Sequence, residues 1–170
     1  MALTSAKITV TVDATIANAA NALAPISIPF RYTHTLSLAA GTAINQANRI
    51  FLRSDTVDTG TPDDIDFSAT TFLDPSGDAA TMAKVVAIIV VNKSTTAGQV
   101  LTVGGDAAPI AEFFGAGPDV LRVGPGGIEV LTNPSLAAYA VTATTADILQ
   151  VGVEAGTAVA YDIIAIGRSA

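Results

Sequence analysis

The run Lys84-Val-Val-Ala-Ile-Ile-Val-Val-Asn92 is apolar at every position between its two ends and β-branched at nearly all of them. A strand sends successive side chains to opposite faces, so Val85, Ala87, Ile89 and Val91 are expected on one side and Val86, Ile88 and Val90 on the other. Both faces then need cover. The remainder of the chain has almost no helical period, which leaves a second sheet or another copy of the protein to supply it. The apolar stretch is also far too short to span a bilayer as a helix, and no membrane partner is expected.

Shorter segments of alternating pattern surround this run. In Lys7-Ile-Thr-Val-Thr-Val12, Ile8, Val10 and Val12 oppose Thr9 and Thr11, as in a half-buried strand. Residues 13–29 are rich in Ala and Asn and contain Pro25 and Pro29; they read either as a short helix over Asp13–Leu23 capped by Asp13, or as an extended arm. Tyr32, His34, Leu36 and Leu38 share one face of the next strand. Ser54–Asp66 reads as an exposed loop, and Asp74-Pro-Ser-Gly77 as a turn in which Pro75 presets φ. Gly124-Pro-Gly-Gly127 is expected to reverse the chain between strands at 119–123 and 128–131, and Glu154-Ala-Gly156 between the last two. Strands spaced by turn signals in this way predict an all-β fold, an antiparallel β-sandwich or a barrel, over 30–170, preceded by an N-terminal extension over 1–29.

Charge narrows the function classes. Charged residues make up 14 % of the chain and the formal net charge is −7, with eight scattered basic residues, so nucleic acid is not an expected partner. The absence of cysteine excludes disulfides, zinc–thiolate sites and thiol nucleophiles. The first residues show no charged region followed by a long apolar stretch, and a secretory signal is not expected.

The candidate sites are few. His34, the only histidine, falls on the apolar side of its strand and reads as a hydrogen-bonded structural residue. Asp55, Asp58, Asp63, Asp64 and Asp66 are the best metal candidates, but their spacing does not fit a calcium loop and a solvated loop is the favoured reading. Gly104-Gly-Asp106 and Gly124–Gly127 lack the Gly-Lys-Ser/Thr ending of a phosphate loop and read as turns. With no recognisable convergence of base, nucleophile and oxyanion donor, the chain is read as a non-enzyme without cofactors.

Six segments, taken in order, carry a resemblance: Gly41-Thr-Ala-Ile-Asn-Gln-Ala-Asn48; Ile65-Asp-Phe67 with Leu73-Asp-Pro-Ser-Gly77; Ala83–Asn92; Leu101-Thr-Val-Gly-Gly105; Gly124–Gly127; and Tyr161-Asp-Ile-Ile-Ala-Ile-Gly167. Together they resemble a family of small virion proteins of tailed bacteriophages, while residues 13–24 have no counterpart in its pattern. The resemblance implies a jelly-roll-like structural protein of the phage particle: a head decoration or cement protein, made in the host cytoplasm and bound to the major capsid protein. Low charge and a small-residue surface suit a part that is buried among identical copies, with a homotrimer expected. Val85, Ala87, Ile89, Val91, Ile8, Val10 and Val12 are the expected interface residues. The alternative is a tail or baseplate component, or a module binding glycans on the host surface.

Overall fold

The β6 strand, Lys84–Asn92, sits in the middle of a sheet, as a strand apolar on both sides requires. In the computed structural model, which describes residues 3–18, 26–115 and 119–170, it is preceded by β1 (Ser5–Asn18), β2 (Ile26–Ala40), β3 (Gln46–Ala47), β4 (Arg49–Val57) and β5 (Asp63–Asp66). It is followed by β7 (Leu101–Gly104), β8 (Val120–Val123), β9 (Ile128–Thr132), β10 (Tyr139–Ala140), β11 (Ile148–Val153) and β12 (Val159–Arg168). A single 3₁₀ turn at Ala111–Phe113 is the one helical element among the described residues.

Two sheets face each other. In the first, β6 lies between β12 and the end-to-end pair β9 and β10, and β12 pairs on its other side with β4. The second has the order β5-β11-β7-β8. The chain changes sheet between β4 and β5, β5 and β6, β6 and β7, β8 and β9, β10 and β11, and β11 and β12, so the strands closest in sequence rarely pair. This is the jelly-roll arrangement of an antiparallel sandwich. It corrects two expectations about turns. Gly124–Gly127 does not join a hairpin, because β8 pairs with β7 and β9 with β6; the turn carries the chain from one sheet to the other. Glu154–Gly156 does the same between β11 and β12. Gly126 adopts φ +70°, and a Cβ on Gly127 would lie 2.8 Å from the Gly124 carbonyl oxygen, so the local chemistry is a tight turn as expected.

Between the sheets lies a core that includes Phe51, Ile65, Phe67, Ile88, Val90, Leu101, Leu149, Val151, Tyr161 and Ile163. Phe51 meets the edges of Phe67 and Phe72, with ring centroids 6.2 and 5.5 Å apart. Full burial of each large aliphatic side chain here contributes about 1.5–3 kcal/mol, which is the main favourable term for the sandwich.

The expected parity of β6 holds only in part. Its pairing with β12 matches Ala87 to Ile166 and then Val85 to Gly167, skipping Val86. The bulge turns Val86 and Ala87 to the same, outer side, while Val85 joins Ile88 and Val90 in the sandwich core. Glycine is needed opposite the bulge, since a Cβ at Gly167 would run into the Lys84 carbonyl oxygen and the Met82 sulfur.

The outer side of β6 is covered by the protein's own N-terminal strands. β1 and β2 form a long antiparallel hairpin whose base sets Ile8 and Leu38 against Val86, Ala87 and Ile166. No helix forms over Asp13–Asn18, which continue β1, and the remainder of the expected helix, residues 19–23, lies outside the described residues. Alternation extends through Ala14 and Ile16, so the segment keeps the strand period of Ile8, Val10 and Val12 despite its Ala and Asn content. The boundary expected near Phe30 falls in mid-strand; the sandwich itself begins with β4.

Candidate interaction surface

The hairpin has two unlike sides. Its register pairs Ile8 with Leu36, Val10 with His34, Val12 with Tyr32, Ala14 with Phe30 and Ile16 with Ile28, which puts all of these side chains on one face. The intervening pairs are Thr9 with Thr35, Thr11 with Thr33 and Asp13 with Arg31. Here the threonine hydroxyls lie 3.2 and 3.4 Å apart, and Arg31 reaches Asp13 at 3.4 Å. One face is therefore an apolar ladder and the other a polar one.

Only the base of the apolar ladder is covered. Ile8 is buried, yet Val10, Val12, Ile16, Ile28, Phe30 and Tyr32 are between 44 % and 64 % exposed. Beyond its base the ribbon leaves the sheet and opens a groove of about 560 Å³. One wall is Ile8, Val10, His34 and Leu36; the other is Ile128, Val130, Thr132 and Pro134. The second wall continues across the outer face of the first sheet, where Leu52, Ile164, Ile89 and Val130 are matched across four adjacent strands. Leu52 and Ile128 are exposed and the other three half-buried. The nearest charges on that face, Lys93 and Asp162, pair with each other at 3.1 Å.

The expected interface residues thus separate. Val85 is enclosed in the sandwich core, and Ala87 and Ile8 are buried between the hairpin and the sheet, so none of the three is available to a partner in this fold. Ile89, Val91, Val10 and Val12 do reach the surface. Phe30 and Tyr32 stand exposed side by side on the ladder. Ile16, Ile28, Leu52, Ile128 and Ile164 had not been singled out. The period of two that runs unbroken from Ile8 to Ile16 was the signal for the hairpin part of this surface.

His34 is exposed and, among the described residues, has no hydrogen-bond or ion-pair partner, which corrects its reading as a hydrogen-bonded structural residue. It stands between Leu36 and Tyr32 on the ladder, where the imidazole ring adds packing surface.

The acidic residues of 55–66 do not converge on one point. The segment is not a continuous loop: β4 extends to Val57 and β5 begins at Asp63. Asp55 and Asp63 each lie 2.7 Å from the Arg53 guanidinium, which also stacks 5.8 Å from the centre of the Phe72 ring. The hydrogen bond from Arg53, aided by the Thr56 amide, holds the Asp55 carboxyl below the usual carboxylate range. Buried Tyr161 donates its hydroxyl to Asp63, and burial together with that bond raises the phenol above its ordinary value, so it remains a donor. Asp64 accepts from Gln150 at 2.8 Å. Asp66 accepts from the Ser68 amide and hydroxyl, and that hydroxyl is also 2.8 Å from buried Asp147. Asp58 accepts a turn hydrogen bond from Thr61 through its backbone carbonyl. These contacts knit loops to strands, and among the described residues no group of three or more His, Cys, Asp or Glu is placed to hold a metal ion.

Comparison of the chain with protein-family models, with curated proteins and with solved structures gives no match in any of the three.

Proposed function

We propose that this protein is a structural component of a tailed-bacteriophage particle: a decoration protein that binds the major capsid protein of the assembled head as a homotrimer. One observation carries the assembly part of this reading. An amphipathic ribbon leaves the sandwich with six large apolar side chains uncovered on one face, and an isolated two-stranded hairpin is marginal in water unless that face is packed. Its polar ladder of threonines remains suited to solvent. The resemblance of segments between residues 41 and 167 to small virion proteins supports a phage particle as the setting of that assembly, and the jelly roll is compatible with it by analogy alone. Stabilisation follows from linkage: a protein that binds the assembled lattice better than free subunits raises the free energy of taking the lattice apart.

The test compares particles of the encoding phage with the gene intact and deleted. Reconstructions should differ by density on the outside of the head, and heads lacking the protein should break at lower temperature or milder osmotic shock. Density at the tail tip would support the second reading, a host-surface binding module, for which the exposed Phe30–Tyr32 pair is the specific observation. Particles from the phage with the gene intact that contain none of the protein would remove both readings.

A further inference from the structure

We infer that the apolar face of the hairpin docks on the outer face of the first sheet of a second copy of this chain, across the row Leu52, Ile164, Ile89 and Val130. The inference rests on the assembly reading above and names its contact. The first argument is continuity. At its base the same ladder already packs on the same sheet face within one chain, through Ile8 and Leu38 against Ala87 and Ile166. The next row of that face is covered only in part: Ile164, Ile89 and Val130 are half-buried beside that cluster and Leu52 is exposed. Ladder and row are thus successive parts of one packing pattern, interrupted where the ribbon lifts away and the groove opens.

Charge gives the second argument. The chain carries a net −7, so two copies meeting through arbitrary surfaces repel each other. The ladder holds no acidic or basic residue apart from His34, and the row is purely aliphatic. These are surfaces on which like-charged copies meet without desolvating a charge.

Size gives the third. Six side chains about half exposed leave on the order of 500 Å² of apolar surface on the ribbon, against about 800 Å² per partner in a standard interface. One such contact is small. Ladder and row are different surfaces, however, so each copy in a ring gives one contact and receives one, and closure of the ring holds every copy by two contacts at once. Head-to-tail contacts of this kind close into rings when the rotation allows.

The experiment uses pure protein and light scattering at micromolar concentration. Two double variants are made at exposed positions: Phe30→Asp with Tyr32→Asp on the ladder, and Leu52→Asp with Ile128→Asp on the sheet. The wild type should be a closed oligomer, each double variant a folded monomer, and the two mixed should form a one-to-one dimer, because each supplies the surface the other lacks. A wild-type monomer overturns the inference. So does a sheet variant that keeps the wild-type mass, which would mean that hairpins pair with each other, and so does a mixture that stays monomeric.

Should a double variant not fold, the lack of cysteine allows a milder probe. Tyr32→Cys mixed with Ile128→Cys should be joined by a short bismaleimide, whereas Tyr32→Cys alone should not; the reverse pattern overturns the docking. A monomer that is nonetheless found on phage heads refutes the docking and leaves the virion reading standing. An oligomer absent from particles refutes the virion reading and leaves the docking.

Discussion

Arg168 is wholly buried, and its guanidinium hydrogen bonds end on backbone carbonyls: Gln46 at 2.9 Å, Ser135 at 2.7 Å, Pro134 at 3.0 Å and Leu136 at 3.2 Å. Burial pushes its pKa down, but the carbonyl dipoles keep the charge tolerable. The side chain thereby ties the end of β12 to the strand beneath the hairpin and to the loop after β9. Arg168→Met removes the side-chain donors to four carbonyls, of which, among the described residues, only Pro134 keeps another donor, the Asn45 amide, and should destabilise the protein by about 3 kcal/mol. That corresponds to a fall in melting temperature of roughly 6–12 °C for a chain of this size, measurable by calorimetry. Arg168→Lys should fall between, because an ammonium cannot reach all four carbonyls from one position. Nothing in the sequence marks this arginine, since its partners come from two segments, at residue 46 and at 134–136, far from it in the chain.

Carboxylates give a second prediction at this scale. Asp55 is held low by Arg53, and Asp162 by the Ser54 hydroxyl and Lys93. Each folded value lies below the unfolded one, so the stabilisation is present above about pH 4 and is lost as the pH falls through the folded value. Both groups are substantially exposed, which limits the effect to a few tenths of a kcal/mol each. Urea midpoints between pH 7 and 3 should decline, and Asp55→Asn should flatten the decline. Calcium or EDTA at millimolar concentration should move the melting temperature by no more than about a degree, whereas a metal site filled at a hundredfold excess over its dissociation constant would add about 2.7 kcal/mol.

Among the elements, the hairpin divides into a base that completes the sandwich and a ribbon that does not. Replacing residues 12–32 by Asn-Gly, a two-residue turn that joins the paired Thr11 and Thr33, keeps Ile8, Leu36 and Leu38 in place. The shortened protein should fold with a melting temperature close to that of the full chain and should run as a monomer. Deleting residues 1–24 is a different experiment. It removes Ile8 and the partner of β2, uncovers Val86 and Ala87, and should yield a destabilised, aggregation-prone protein. Equal behaviour of the two deletions in thermal melts would contradict this division. At the same scale lies the limit of what the pattern of residues reveals. Strict alternation marks β1 and β2, but a strand apolar on both sides carries no parity signal, so the bulge at Val86 is invisible in Lys84–Asn92. The turns at 124–127 and 154–156 were recognisable as turns; their role in crossing between sheets was not, because pairing partners in a jelly roll lie far apart in sequence. The acidic stretch looked like a loop because its partners, Gln150 and Tyr161, come from the other end of the chain.

For the molecule as a whole, a neutral apolar contact on an acidic protein fixes how association responds to solvent. Ammonium sulfate should strengthen the oligomer, through effective burial and through screening of net charge, and cooling should weaken it. Sedimentation at several salt concentrations and temperatures reads both trends. An oligomer that dissociates as salt rises would point instead to ion pairs across the contact.

The last described strand, β12, pairs with β4 on one side and β6 on the other. During synthesis this strand leaves the ribosome after both of the strands it must separate. Until it arrives the first sheet exists only as two open edges, and a slot has to be kept free between them. Ile164 pairs with Leu52, and Gly167 with Arg49, contacts that span more than a hundred residues of chain, and folding governed by such distant pairings is slow. The N-terminal hairpin, by contrast, pairs strands that are close in sequence and forms within microseconds. A nascent chain therefore displays its apolar ribbon long before it owns a sheet to receive one, and neighbouring nascent chains on one message are exposed to each other in that interval.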